Sequence, residues 1–202
     1  MTRVLLVGSG NRKKLEELQR RLTDVDLRLI TPSDLDPSPP PPDETTGTFV
    51  GNATEKALYY AMASGYLTLA DDSGLEVDAL EGRPGVDSAY FAGHPSDDQA
   101  NNRKLLDELR NSPLEKRTAR YRCVLVLASH EGVIWTGNGT CEGRIGLEAR
   151  GSAGFGYDPL FLVGDGTRTF GELPPTEKDL ISHRGKALAS LREALPTLLR
   201  EH

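Results

Sequence analysis

Two adjacent carboxylates, Asp71 and Asp72, followed by Ser73 and Gly74, close an apolar run reading Leu67-Thr-Leu-Ala70. Alternation in this run predicts a strand that ends at the acids and carries chemistry at its tip. Leu75 to Leu80 reads as a further strand. Neighbouring residues on an extended chain point to opposite faces, so the two acids are expected to do different work, one structural and one facing a pocket. Paired like charges need hydrogen-bond donors or a cation, and a hard ion such as Mg2+ suits carboxylates near phosphate. The same residue types also make an ordinary solvated turn at a strand end.

A second group lies upstream. Arg3 to Gly8 reads as a buried strand, Ser9-Gly10-Asn11 as a turn, and Leu15, Leu18 and Leu22 recur at helical spacing from Arg12 onward. A strand, turn and helix in this order aim backbone N–H groups and the helix dipole at an anion, with Lys13 and Lys14 adding charge. Neither a Walker loop nor a dinucleotide fingerprint is present, and a capped helix with solvated lysines fits the local pattern equally.

These groups need a scaffold. Val25 to Ile30 reads as a strand, and the proline-rich stretch Thr31 to Gly47, which contains Glu44, as an exposed loop. Thr48 is the expected N-cap of a helix with Phe49, Ala53, Ala57 and Ala61 on its apolar face, Lys56 beside that face and Gly65 as its stop. Glu81 to Gly85 is a turn, and Ser96, Asp97 and Asp98 open a helix carrying Leu105, Leu106 and Leu109. Thr118 to Ser129 and Val133 to Cys141 form a hairpin, so the sheet is expected to be mixed. A glycine-rich loop, Gly151 to Gly156, leads through Phe155-Gly-Tyr-Asp-Pro159 into a strand at Leu160 to Val163. Pro174 to Leu180 reads as a short helical turn and His183 to Leu195 as the last amphipathic helix, with Ser182 as a possible cap.

At 202 residues one domain is the expectation, and a net charge of -6 gives none of the basic face a nucleic-acid polymer requires. Two cysteines, Cys123 and Cys141, make no disulfide framework, and no apolar stretch approaches transmembrane length, so a reduced cytoplasmic protein with no membrane partner is expected.

Ser9-Gly-Asn11 with Lys14, Thr48-Phe with Asn52-Ala and Lys56-Ala, Ala70-Asp-Asp-Ser-Gly-Leu75, Gly82-x-Pro-Gly85, Gly154-Phe-Gly-Tyr-Asp-Pro159 and Ser182-His-Arg-Gly185 occur in one order along the chain. Together they resemble the inosine triphosphate pyrophosphatase family over nearly the whole length. The resemblance implies Mg2+-dependent hydrolysis of ITP, dITP and XTP to the monophosphate and pyrophosphate, in a cytoplasmic homodimer that cleans the nucleotide pool. It implies an α/β fold with a long, mixed, twisted sheet flanked by helices, and two lobes with a central nucleotide cleft.

By position, the resemblance assigns Ser9, Gly10, Asn11, Arg12, Lys13 and Lys14 to the triphosphate and Glu44 and Asp72 to the metal. Ser73, Lys56 and Lys178 fall on further phosphate oxygens, and Asp72 also accepts the proton of the attacking water. Phe155, Gly156, Tyr157, Asp158, His183 and Arg184 fall on the base, where a donor-only Arg184 suits a 6-oxo group and opposes a 6-amino group. The chain departs from the family pattern at Gly51, where Glu is common, and at Tyr90, where Arg is usual. Two rival readings remain: a phosphatase acting through an aspartyl-phosphate, whose sites favour Asp-x-Asp over adjacent acids, and a nucleotide-binding module without catalysis, motivated by Gly51.

Overall fold

The computed structural model describes residues 3–23 and 25–201, and the side chains of Arg12 and Glu201 lie outside that description. The phosphate role expected of the Arg12 side chain therefore falls outside the described residues.

The chain opens with β1 (Arg3–Val7), α1 (Arg12–Arg21) and β2 (Leu27–Ile30), with β1 and β2 parallel and Leu6 opposite Ile30. After α2 (Phe49–Ser64) comes β3 (Thr68–Val77), which runs parallel to β1 with Leu69 opposite Val7. Then follow β4 (Pro84–Gly85), α3 (Asp98–Glu108), β5 (Thr118–Ser129), β6 (Gly132–Ile145), β7 (Phe161–Val163), β8 (Arg168–Thr169), α4 (Pro175–Ile181) and α5 (His183–Glu201). The strand order is β2-β1-β3-β5-β6-β7-β8, with β4 paired to β3. Antiparallel pairing of β3 with β4, β6 with β7 and β7 with β8 makes the sheet mixed, in an α/β fold.

The boundaries differ from expectation in several places. β3 does not end at Asp71 and Asp72 but continues through Ser73 and Gly74 to Val77, absorbing the strand expected from Leu75. Both acids are buried and each has cationic or donor partners, so the extended backbone persists where a solvated turn was an alternative. β2 starts at Leu27, later than Val25, while β6 passes Cys141 to reach Ile145, whose N–H is bonded to the Arg117 carbonyl. β8 was not anticipated; a two-residue strand carries no periodicity. α5 runs past Leu195 and through Pro196, because Leu198 and Leu199 extend the stripe of Leu188, Leu191 and Leu195 into the same core.

The chain divides into two compact units: Met1–Asp72, Cys123–Gly139 and Arg184–His202 form the first, and Ser73–Arg122 and Thr140–His183 the second. In the first, the pleat of β5 sends Cys123, Leu125 and Leu127 towards α1 and α5, and Val124, Val126 and Ala128 towards Ala53, Ala57 and Ala61 of α2. A strand covered on both faces reads as a continuous apolar run, which is how β5 reads. In the second, Leu75, Val77, Tyr121, Ile145, Phe161 and Phe170 gather with Leu105 and Leu109.

Candidate active site

The same pleat separates the two acids. Leu69 faces the α1 and α5 side and Ala70 the α2 side, so Asp71 and Asp72, the next pair along β3, inherit those two faces. Asp71 Oδ2 lies 2.9 Å from Lys14 Nζ of α1 and accepts from Arg184 Nη2 of α5 at 3.1 Å. Burial alone would raise the Asp71 pKa, but Lys14, Arg184 and Lys56 together hold it far below the usual carboxylate range. Asp71 is thus a fixed anion that ties two helices to the strand.

Asp72 meets a different set. Its Oδ2 accepts from Asn52 Nδ2 of α2 at 3.0 Å. Burial, and then the charge of Glu44, push its pKa up to about 6, outweighing the opposing pull of Lys56. Lys56 pairs with Glu44 and donates to the Asp71 carbonyl at 3.1 Å, and although burial would lower its pKa, Asp71, Glu44 and Asp72 more than reverse that. Two adjacent acids on one strand are therefore tuned in opposite directions, one too acidic to act as a base and one with the basicity that proton transfer near neutral pH requires.

α2 holds its two polar groups by local chemistry. Thr48 Oγ1 accepts from the Gly51 N–H at the helix start. Thr46 Oγ1 donates to Asn52 Oδ1 at 2.7 Å and the Thr46 N–H does so at 3.1 Å, which fixes the amide so that its NH2 faces Asp72. The Gly51 departure has a steric reason here, since a Cβ would lie 2.2 Å from Thr46 Oγ1 and 2.7 Å from Thr48 Oγ1. Thr46 and Asn52 were not singled out as site residues from the sequence; the N-cap pattern at Thr48 with Asn four residues later was the available signal.

At the N-terminus of α1, Asn11 Oδ1 accepts from the Lys13 and Lys14 N–H groups, and Ser9 Oγ accepts from the Asn11 N–H. The turn is built as expected, but two of the helix-end donors are spent on its own cap. Gly10 is exposed and a Cβ there would meet nothing within 4 Å. Lys13 is exposed, whereas Lys14 reaches back to Asp71.

Arg184, expected at the base, sits at the start of α5 among carboxylates. It is buried, its Nη1 donates to Glu17 Oε2 at 2.7 Å and its Nη2 to Asp71 Oδ2 at 3.1 Å. A charge buried this deep needs compensating partners, and Glu17 and Asp71 supply them. Glu17, on α1, is not among the residues expected at the site from the sequence.

The remaining base candidates belong to the second unit. Asp158, nearly fully buried, accepts from Lys178 Nζ at 2.6 Å and from the Phe155 N–H at 2.8 Å. Lys178 Nζ lies 4.9 Å from the Phe155 ring centroid and 5.5 Å from that of Phe170. Lys178, expected on phosphate, is therefore part of the Phe155–Asp158 group. His183 stacks on Tyr121 at 4.6 Å between centroids and 8° between planes, and Tyr121 Oη accepts from the Tyr157 N–H. Tyr157 Oη donates to the Ser88 carbonyl, and Ser88 Oγ accepts from the Leu75 N–H, two residues beyond the half-buried Ser73. Tyr90, the other departure, is exposed and stacked on His94.

Among the described residues no group of three or more His, Cys, Asp or Glu is arranged to hold a metal ion, and no helix is long and apolar enough to cross a membrane.

The Ham1 family model matches residues 5–194. A dITP/XTP pyrophosphatase of Desulforamulus reducens is 48% identical over 194 residues, covering 96% of both chains. Another from Mycolicibacterium paratuberculosis is 48% identical over 202 residues, covering 97% of each. Among solved structures, a HAM1 protein from Coxiella burnetii superposes with a TM-score of 0.88 at 38% identity, covering 96% of this chain and 99% of its own. A nucleoside-triphosphatase / dITP/XTP pyrophosphatase from Mycobacterium abscessus gives 0.77 at 42% identity, covering 93% and 98%.

Proposed function

This chain belongs to the Ham1 family, and on that premise we propose that it is a nucleoside triphosphate pyrophosphatase that converts ITP, dITP and XTP to the monophosphate and pyrophosphate. The reading makes the chain one catalytic domain, a cytoplasmic enzyme and a homodimer. The observation that carries the chemistry is the opposite tuning of Asp71 and Asp72 on the two faces of β3.

Asp72, with its pKa raised to about 6, is ionised at neutral pH yet basic enough to take a proton from the water attacking the α-phosphorus. Asn52 and Thr46 hold its carboxylate in one orientation. Lys14 and Lys56 bring positive charge to the phosphates, with Ser9, Gly10, Asn11 and Lys13 shaping the turn that receives them and Ser73 continuing the strand beyond Asp72. An ammonium group has three protons, so Lys14 can keep Asp71 and still donate to a phosphate oxygen.

The donor set fits Mg2+: Glu44 and Asp72 are hard carboxylates whose mutual repulsion raises the Asp72 pKa, and a cation relieves that repulsion. Held by Glu44 and Asp72, it would supply charge neutralisation at the phosphates and lower the pKa of a nearby water. Phe155 offers a stacking face to the purine, with Lys178 fixed by Asp158 against that ring, and Arg184 is the donor-only group that suits a 6-oxo oxygen. Gly156, Tyr157 and His183 complete the wall.

The test is a product assay with ITP, XTP, GTP and ATP in the presence of Mg2+. Pyrophosphate with IMP or XMP, and weak turnover of ATP, is the expected outcome; stepwise release of orthophosphate, or tight ITP binding with no product, would contradict it.

A further inference from the structure

Helix α3 carries two polar residues that the proposed chemistry does not use. Asp98 and Asn102 are four residues apart, so they lie on one face of the helix, one turn from each other. Asp98 Oδ2 accepts from the Gly156 N–H at 2.8 Å. Asn102 Nδ2 donates to the Gly156 carbonyl at 2.8 Å and to the Asp98 carbonyl at 2.7 Å. Both Asn102 contacts are to carbonyl acceptors, which sets the orientation of its amide without ambiguity. Its Oδ1 is buried with no hydrogen-bond partner, a cost the helix bears to keep the NH2 on Gly156.

These two bonds capture the peptide group on each side of Gly156. The backbone there is left-handed, with φ 61°, a conformation that favours glycine. The captured peptides join Phe155 to Tyr157. Phe155 is held from its other end by its N–H to Asp158, and Tyr157 by its N–H to Tyr121 Oη. The backbone that carries the Phe155 ring is thereby held by four side chains, those of Asp98, Asn102, Tyr121 and Asp158, two of which come from α3.

We propose that Asp98 and Asn102 are positioning residues that set the backbone from which the Phe155 ring projects, and through it the affinity of the site for the purine base. The inference rests on the assignment of the Phe155–Asp158 loop to the base. It concerns binding of the base and not proton transfer, since Asp72 and its partners belong to other elements.

The experiment compares wild type with Asn102→Ala, Asn102→Asp, Asp98→Ala and Asp98→Asn. Two quantities are read: the equilibrium affinity for IMP, which has no anhydride to cleave, and kcat and KM for ITP. Losing one bond of this kind should weaken IMP binding and raise the KM for ITP by about tenfold, with kcat within about threefold of wild type. Asn102→Asp, which faces a carboxylate to the Gly156 carbonyl, should do at least as much. Asp98→Asn keeps an oxygen for the Gly156 N–H and should restore most of the affinity lost in Asp98→Ala. Asp98→Ala combined with Asn102→Ala should cost less than the two singles multiplied, because both hold the same glycine.

Unchanged IMP affinity and ITP KM in correctly folded Asn102→Ala and Asp98→Ala would overturn the proposal while leaving the pyrophosphatase reading intact. A fall in kcat with no change in KM would overturn it as well. Wild type that binds IMP but yields no product from ITP would defeat the pyrophosphatase reading alone, and the effect of the variants on IMP affinity would still decide the role of α3.

Discussion

Asp72 is kept buried beside Glu44 at a cost to the folded state, and replacing it should expose that cost. Its folded pKa, about 6, lies above the ordinary value of 3.8, so the stabilising contribution of its proton is complete below pH 3.8 and lost as pH rises through 6. Asp72→Asn is therefore expected to abolish most turnover, by about a hundredfold or more, and to raise the melting temperature of protein in chelator at pH 8. The gain corresponds to about 2–3 kcal/mol and should vanish near pH 4, which thermal melts across pH would show. Asp71 behaves in the opposite sense. Its folded pKa is depressed, so its contribution is present above 3.8 and lost as pH falls below it. Asp71→Asn leaves Lys14 and Arg184 without their shared counter-charge and should cost about 3–5 kcal/mol at pH 7 by chemical denaturation. The sequence showed that the two acids must diverge, because the period of a strand is two. It did not show which partners each would meet, since Arg184 lies 113 residues from Asp71 and nothing local signals the contact.

At the level of elements, α2 was legible to the residue: Thr48 caps it, Gly65 ends it and Ala53, Ala57 and Ala61 face the core. Its small side chains are what allow it to approach β3 closely enough for Asn52 to reach Asp72. Thr48→Ala should cost about 1 kcal/mol in denaturant titration and lower kcat more than KM, because fraying of the first turn loosens Asn52. The loop at Gly154 is the counterpart in the second unit. A Cβ there would lie 1.9 Å from Asp158 Oδ2, on a backbone with φ 78°. Gly154→Ala is expected to displace Asp158 from Lys178 and raise the KM for ITP by about tenfold or more, while kcat changes less. Such loops were recognisable as loops from their glycines. The position of Lys178 was not, because a lysine on a short helix reads identically whether it meets phosphate, solvent or a buried carboxylate.

For the whole molecule, the order of the main elements and the mixed sheet followed from alternation, helical spacing and turn residues, and the differences lie at the ends of strands and of α5 and in the two-residue β8. β3 was cut short because Asp, Ser and Gly are turn formers when solvated, and only burial against α1, α2 and α5 reverses that preference. The homodimer belongs to the proposed reading, and sedimentation should give twice the 22.0 kDa chain mass at micromolar concentration. The central claim is that water attacks the α-phosphorus of a purine nucleoside triphosphate with Asp72 taking its proton. Turnover of ITP in 18O-labelled water, followed by mass spectrometry of both products, tests it most directly. The account requires the label in IMP and none in pyrophosphate; label in pyrophosphate or in orthophosphate would contradict it.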